Sequence, residues 1–216
     1  ALGDMSQAIE IATQTLGRLA VRLPAGEDDR ASAVTAAITQ VEYEMRKQPL
    51  SSLLDRPALA DADVLDALSI LTLTSTAGYT TDPQLHALIN LTAILLSLEH
   101  GPSEFAAFAF ANYGLALAGL ERYHDSQHFC QLGLALLEKY PSPALRSKVY
   151  IVIGACAHYG ARLRETIPRC RQAVAMGLEA GDFTYASYGV FYTLLFRFAA
   201  GDHLNSIAEE VESFTE

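Results

Sequence analysis

Apolar residues recur at steps of three and four along most of the chain. Across residues 5–23, Ile9, Ala12, Leu16, Leu19 and Leu23 share one face, the spacing of an amphipathic helix. Pro24–Asp29 interrupts it. Val34, Ile38, Val41 and Met45 then predict a second helix from about Arg30 to Lys47, ended by Pro49. Residues 50–63 read as a short helical turn and a loop, with Asp63 placed to cap a helix carrying Leu65, Leu68, Leu71 and Leu73. That pattern fades at Ser75–Thr81. Asp82-Pro83 restarts a helix, with aspartate at the cap and proline in the first turn, and the new helix ends at His100-Gly101. Pro102 opens the next, in which Phe105, Phe108, Phe110, Tyr113 and Leu117 alternate with alanines and Gly119 marks the end. Further helices are predicted over 122–140, which Pro141-Ser142-Pro143 stops, then Leu145–Tyr159, Leu163–Ala180 and Phe183–Ala200. A last helix follows the turn Gly201-Asp202. No stretch alternates β-branched and polar residues over a useful length, so no strand is expected.

The breakers are periodic. Gly78, Gly119, Gly160 and Gly201 are 41 residues apart, and Gly101, Pro141 and Gly181 fall between them at steps of 40. One set marks turns inside helix pairs and the other turns between pairs, which is the signature of a helical repeat. Offsets within the unit agree. Gly114 is followed by Tyr123, Ser126, Cys130 and Gly133, and Gly154 by Leu163, Thr166, Cys170 and Ala173. The expected fold is all-α: a superhelical array of about five antiparallel helix pairs, with pairs at 1–48, 49–101, 102–141, 142–181 and an incomplete 182–216. The small and large positions resemble the tetratricopeptide (TPR) pattern, although its standard unit is 34 residues. HEAT-type repeats are the alternative. The run ending SFTE predicts a chain cut from a larger protein.

Charge narrows the partners. A formal net charge of −10 disfavours nucleic acid, whose phosphates would repel the chain. The most apolar stretches, Leu85–Leu98 and Tyr188–Ala200, are too short for a membrane span. Three cysteines, Cys130, Cys156 and Cys170, form no CxxC motif and predict small core residues in a reducing, cytoplasmic setting.

No phosphate-binding loop or kinase signature is present. His124 and His128 stand four apart, a metal-binding spacing on a helix, but no third ligand is evident and no metal or cofactor is expected. A helical enzyme using His124, His128 and His158 is a rival reading. Arg146, Lys148, Arg162, Arg164, Arg169 and Arg171 form a basic strip, suited either to an acidic segment or to the acidic residues of neighbouring repeats. Tyr185, Tyr188 and Tyr192 follow helical spacing among Phe183, Phe191, Phe196 and Phe198. Such rings pack a core or line a recognition groove. The candidate interaction surface is therefore Tyr113, His158, Tyr159, Arg162, Arg164, Arg171, Tyr185, Tyr188 and Tyr192.

One family resemblance covers nearly the whole chain. The ordered segments PLSSLL, TSTAGYTTDPQLHALINL, LSLEHGPSEFAAFAFANYG, AHYGARLRE and GLEAGDFTYASY resemble the helical region that follows the AAA-type ATPase domain in bacterial multidomain hybrid signalling kinases. Tyr159 stands where that family often has tryptophan. The resemblance implies a non-catalytic regulatory array that contacts flanking domains of its own chain, a protein partner or a second copy. The alternative is a small-molecule sensor with an aromatic pocket near Phe183–Phe198.

Overall fold

The computed structural model describes residues 5–47, 49, 51–160 and 162–214. The predicted ends of the chain at 1–4 and 215–216, and the start of the predicted turn at residue 50, lie outside the described residues. Among those described, every regular element is a helix. They are α1 (Met5–Arg18), α2 (Glu27–Lys47), the short α3 (Ser52–Asp55), α4 (Ala62–Thr81), α5 (Pro83–His100) and α6 (Glu104–Gly119). The rest are α7 (Tyr123–Lys139), α8 (Pro143–Ala157), α9 (Leu163–Ala180), α10 (Phe183–Ala199) and α11 (Leu204–Ser213). The chain divides into two compact units, 1–113 and 114–216.

In the first unit α1 packs on α4, α2 on α5, and α4 on α5. Leu16, Val41, Leu68, Leu71, Ile89 and Ile94 are buried where these helices meet. Helix α1 stops earlier than the apolar spacing predicts, because Ala20 takes a left-handed conformation, while Leu23 is still buried beyond the helix. Asp61, not Asp63, caps α4, accepting the Asp63 and Val64 amides. Asp82 caps α5 as expected, through the Leu85 amide at 2.9 Å with Pro83 in the first turn, and also pairs with Arg30 of α2. The loop after α3 is tied to the C-terminal end of α5. Arg56 donates to the Leu98 and Glu99 carbonyls, satisfying groups a helix end leaves bare.

Gly78 corrects the reading of the glycine period. It is no turn but a buried residue inside α4, which runs unbroken to Thr81. A methyl group there would lie 3.2 Å from the His86 backbone, so the glycine lets α5 cross closely. A small polar network sits at the crossing. His86 Nδ1 donates to the Ser75 carbonyl at 2.9 Å, and Asn90 Nδ2 donates to the His86 carbonyl at 2.8 Å. Burial pushes the His86 pKa down, which keeps the ring neutral and this donor in place.

In the second unit α7 packs on α8, α8 on α9, α9 on α10, and α10 also on α8 and α11. Close approach again depends on small residues. A methyl on Gly114 would meet Cys130 Sγ at 2.7 Å, and one on Gly154 would meet Cys170 Sγ at 3.0 Å. The same glycine-to-cysteine nest thus recurs one period apart. Gly177 and Gly189 do likewise against Ala186 and Val174. Pro143 opens α8 rather than prolonging the stop before it, its missing N–H being no loss at a first helical position.

Candidate functional site

The predicted surface residues do not gather in one place, but several of those in the second unit do. His158 and Tyr159 follow α8 directly, where the chain turns toward α9. The Tyr159 ring stacks on Tyr123 at the start of α7, centroids 5.5 Å apart and nearly parallel. His158 lies 4.0 Å from Tyr159 and 5.3 Å from Phe196 of α10. Phe196 contacts Tyr192 at 5.5 Å, and Tyr192 contacts Phe191 at 5.2 Å. Six rings from three parts of the fold thus form a continuous ladder. Its middle is packed, with Phe196 buried. Its ends are open: Tyr123 is 40% exposed, Tyr159 45% and Phe191 56%. His158 Nδ1 is buried with no hydrogen-bond partner.

The other predicted residues have separate places. Tyr113 is buried in the first unit, and Tyr185 is buried in α10 against Tyr188 and beneath the Lys148 ammonium, 4.0 Å from its ring. His124 and His128 lie edge to face, 4.4 Å between centroids, with His124 out in solvent. No group of three or more His, Cys, Asp or Glu among the described residues is placed to hold a metal ion. Phe183, Phe191 and Phe198 of the aromatic-rich segment face solvent.

Half of the basic strip is engaged by acids in α11 or in the turns that precede α10 and α11. Lys148 pairs with Asp182 at 2.5 Å, Arg164 with Asp202 at 2.5 Å, and Arg171 with Glu210 at 2.7 Å. Arg197, which the sequence pattern did not single out, is the centre of this cluster. It donates to Asp202 at 2.8 Å, to Glu210 at 2.5 Å and to both the carbonyl and hydroxyl of Ser206, tying α10 to α11. Arg146, Arg162 and Arg169 have no such partner among the described residues. Hydrogen bonds, from Arg197 to Asp202 and from Arg171 to Glu210 first of all, hold both carboxyls below their ordinary values. Depressed carboxyl pKa values stabilise the fold above the ordinary carboxylate range, and this contribution is lost as pH falls through the folded values. Protection factors in α11 are therefore expected to fall selectively below about pH 4, while α8 keeps its protection. Uniform loss of protection across the unit would refute that coupling.

Family models, curated proteins and solved structures give no match to this chain. No helix among the described residues is long and apolar enough to cross a membrane. One cavity, of about 220 Å³, opens between α7, α8 and α9. Cys130, Cys156, Arg169, Ser126 and Gln127 are among its lining residues. None of the phenylalanines of the aromatic-rich segment lines it. The spacing of Cys130 and Cys156, 26 residues, carries no motif, and only the packing of α7 on α8 brings them together.

Proposed function

We propose that the chain is a non-catalytic interaction module, a superhelical array of antiparallel helix pairs that receives a protein segment on the aromatic ladder of its second unit. The observation that carries this is the row of six rings with open ends at Tyr123, Tyr159 and Phe191. Exposed aromatic rings held rigid by a packed middle present large contact area at small entropic cost, which is what recognition surfaces use. The recurrence of the Gly114–Cys130 nest at Gly154–Cys170 supports the repeat reading. In the setting that the resemblance to hybrid kinases implies, the bound segment is a flanking domain of the same chain. Its grip then sets how ATPase and kinase domains face each other.

Photo-crosslinking tests this. Benzoylphenylalanine placed at Tyr159, and separately at Phe191, in the expressing cell is expected to capture the same peptide segment. Glu138 serves as an exposed control position. Phe191→Ser should lower the Tyr159 adduct at least about fivefold, the loss of one aromatic anchor. Different peptides from the two positions, or yields no higher than at Glu138, would rule the ladder out as the receiving surface. An adduct joining two copies of this chain would identify self-association as the contact.

A further inference from the structure

The cavity between α7, α8 and α9 ends on two thiols. Cys130 Sγ and Cys156 Sγ are 3.2 Å apart, and both residues are buried. The rim is formed by exposed Gln127, Gln131 and Gly160, so the cavity reaches solvent. Arg169, half-buried and without an acidic partner among the described residues, lines the same space. A guanidinium beside a thiol favours the thiolate, and the thiolate is the reactive form. The hydrogen-bonded contact with Cys156 first, then the Ser126 hydroxyl and Arg169, draw Cys130 below the ordinary thiol value. Cys156 is pushed up, by its contact with Cys130 first and then by burial. Cys170 does not line the cavity, and although Arg169 draws its thiol down as well, burial outweighs that charge. It lies beneath Gly154, and burial pushes its thiol up to about 11.

We propose that Cys130 and Cys156 are an oxidisable dithiol, which a small hydroperoxide entering this cavity converts to a disulfide joining α7 to α8. The Cys130 thiolate attacks one peroxide oxygen. A sulfur–oxygen bond forms, the oxygen–oxygen bond breaks, and the leaving oxygen departs as alcohol or water with a proton. The Cys156 sulfur then attacks the Cys130 sulfenic acid. The sulfur–sulfur bond forms, the sulfur–oxygen bond breaks, and hydroxide leaves as water with the Cys156 proton. Two thiols lose two electrons and the hydroperoxide gains them. Reaching a bond of about 2.05 Å from the present separation takes little more than 1 Å of movement, within what side-chain rotation can supply. A cavity of about 220 Å³ admits hydrogen peroxide or a short organic hydroperoxide and excludes a folded protein disulfide.

The test uses the full chain, native and reduced, exposed to hydrogen peroxide at low molar excess. Peptide mapping is expected to show a Cys130–Cys156 link, reversed by dithiothreitol, with Cys170 still free. In Cys156→Ser the reaction stops one step earlier, and dimedone labels Cys130. Arg169→Gln is expected to slow thiol loss about tenfold while Arg169→Lys slows it far less, the mark of a charge acting on a thiolate. Because the wild-type map needs no substitution, a variant that fails to fold does not remove the test. Cys170 reacting first, or a link that forms only after the chain is unfolded, would overturn the proposal.

Discussion

Gly101→Ala is expected to lower the stability of the first unit by about 3 kcal/mol or more, from two independent causes. Gly101 ends α5 with φ 108° and ψ 165°, a region open essentially to glycine alone. A methyl group there would also stand 2.6 Å from the Pro57 carbonyl oxygen, a backbone atom with no side-chain freedom to yield. That carbonyl belongs to a segment pinned nearby, by Leu59 N donating to the Pro102 carbonyl at 2.9 Å and by Arg56 on the end of α5. The substitution therefore pushes a whole loop off the helix end. Gly119→Ala is the control. It shares the periodic pattern, yet a methyl there meets nothing within 4 Å and its backbone is not left-handed. It should be neutral or stabilise by up to about 1 kcal/mol. Paired urea titrations measure both. Equal midpoints for the two variants would show that the docked loop contributes nothing.

Phe129→Ala is expected to cost about 3–5 kcal/mol in the second unit, whereas Phe191→Ala should change its stability by less than about 0.5 kcal/mol. Phe129 is 1% exposed on the face of α7 that also buries Cys130, Leu132, Leu136 and Leu137. Removing its ring leaves a cavity that rigid helices fill only in part. Phe191 is 56% exposed, so truncation removes little buried area. If its exposed ring serves recognition, Phe191→Ala lowers binding and leaves the melting curve in place. Thermal unfolding of the two variants separates them, and a large loss in Phe191→Ala would mean that the ring is core after all.

The helices themselves were legible in the chain. Their period, the Asp82-Pro83 start and the stops at Gly101, Gly181 and Gly201 are local properties, set by which residues tolerate a cap, a first turn or a positive φ. What the periodic glycines do was legible only in part. Gly78 matches the turn glycines in spacing but sits inside α4, because the need for a bare backbone arises from α5 crossing it. The cap on α4 fell to Asp61 rather than Asp63 because both residues have the right chemistry and only the backbone of residue 61 is extended. Among the arginines, Arg164 and Arg171 stood out by clustering, yet Arg197 makes the central set of contacts, at positions separated by five to thirteen residues across a turn.

By itself the sequence determined that the chain is helical and, at Asp82-Pro83, Gly101, Gly181 and Gly201, where helices start or stop, since those choices rest on a few neighbouring residues. Only the tertiary structure decided that Cys130 meets Cys156, that six rings line up from Tyr123 to Phe191, and that Arg197 rather than its neighbours ties α10 to α11. Those meetings depend on how far one helix is offset along the next and at what angle they cross. The packed volumes of both surfaces set that offset together, and no single stretch of chain encodes it.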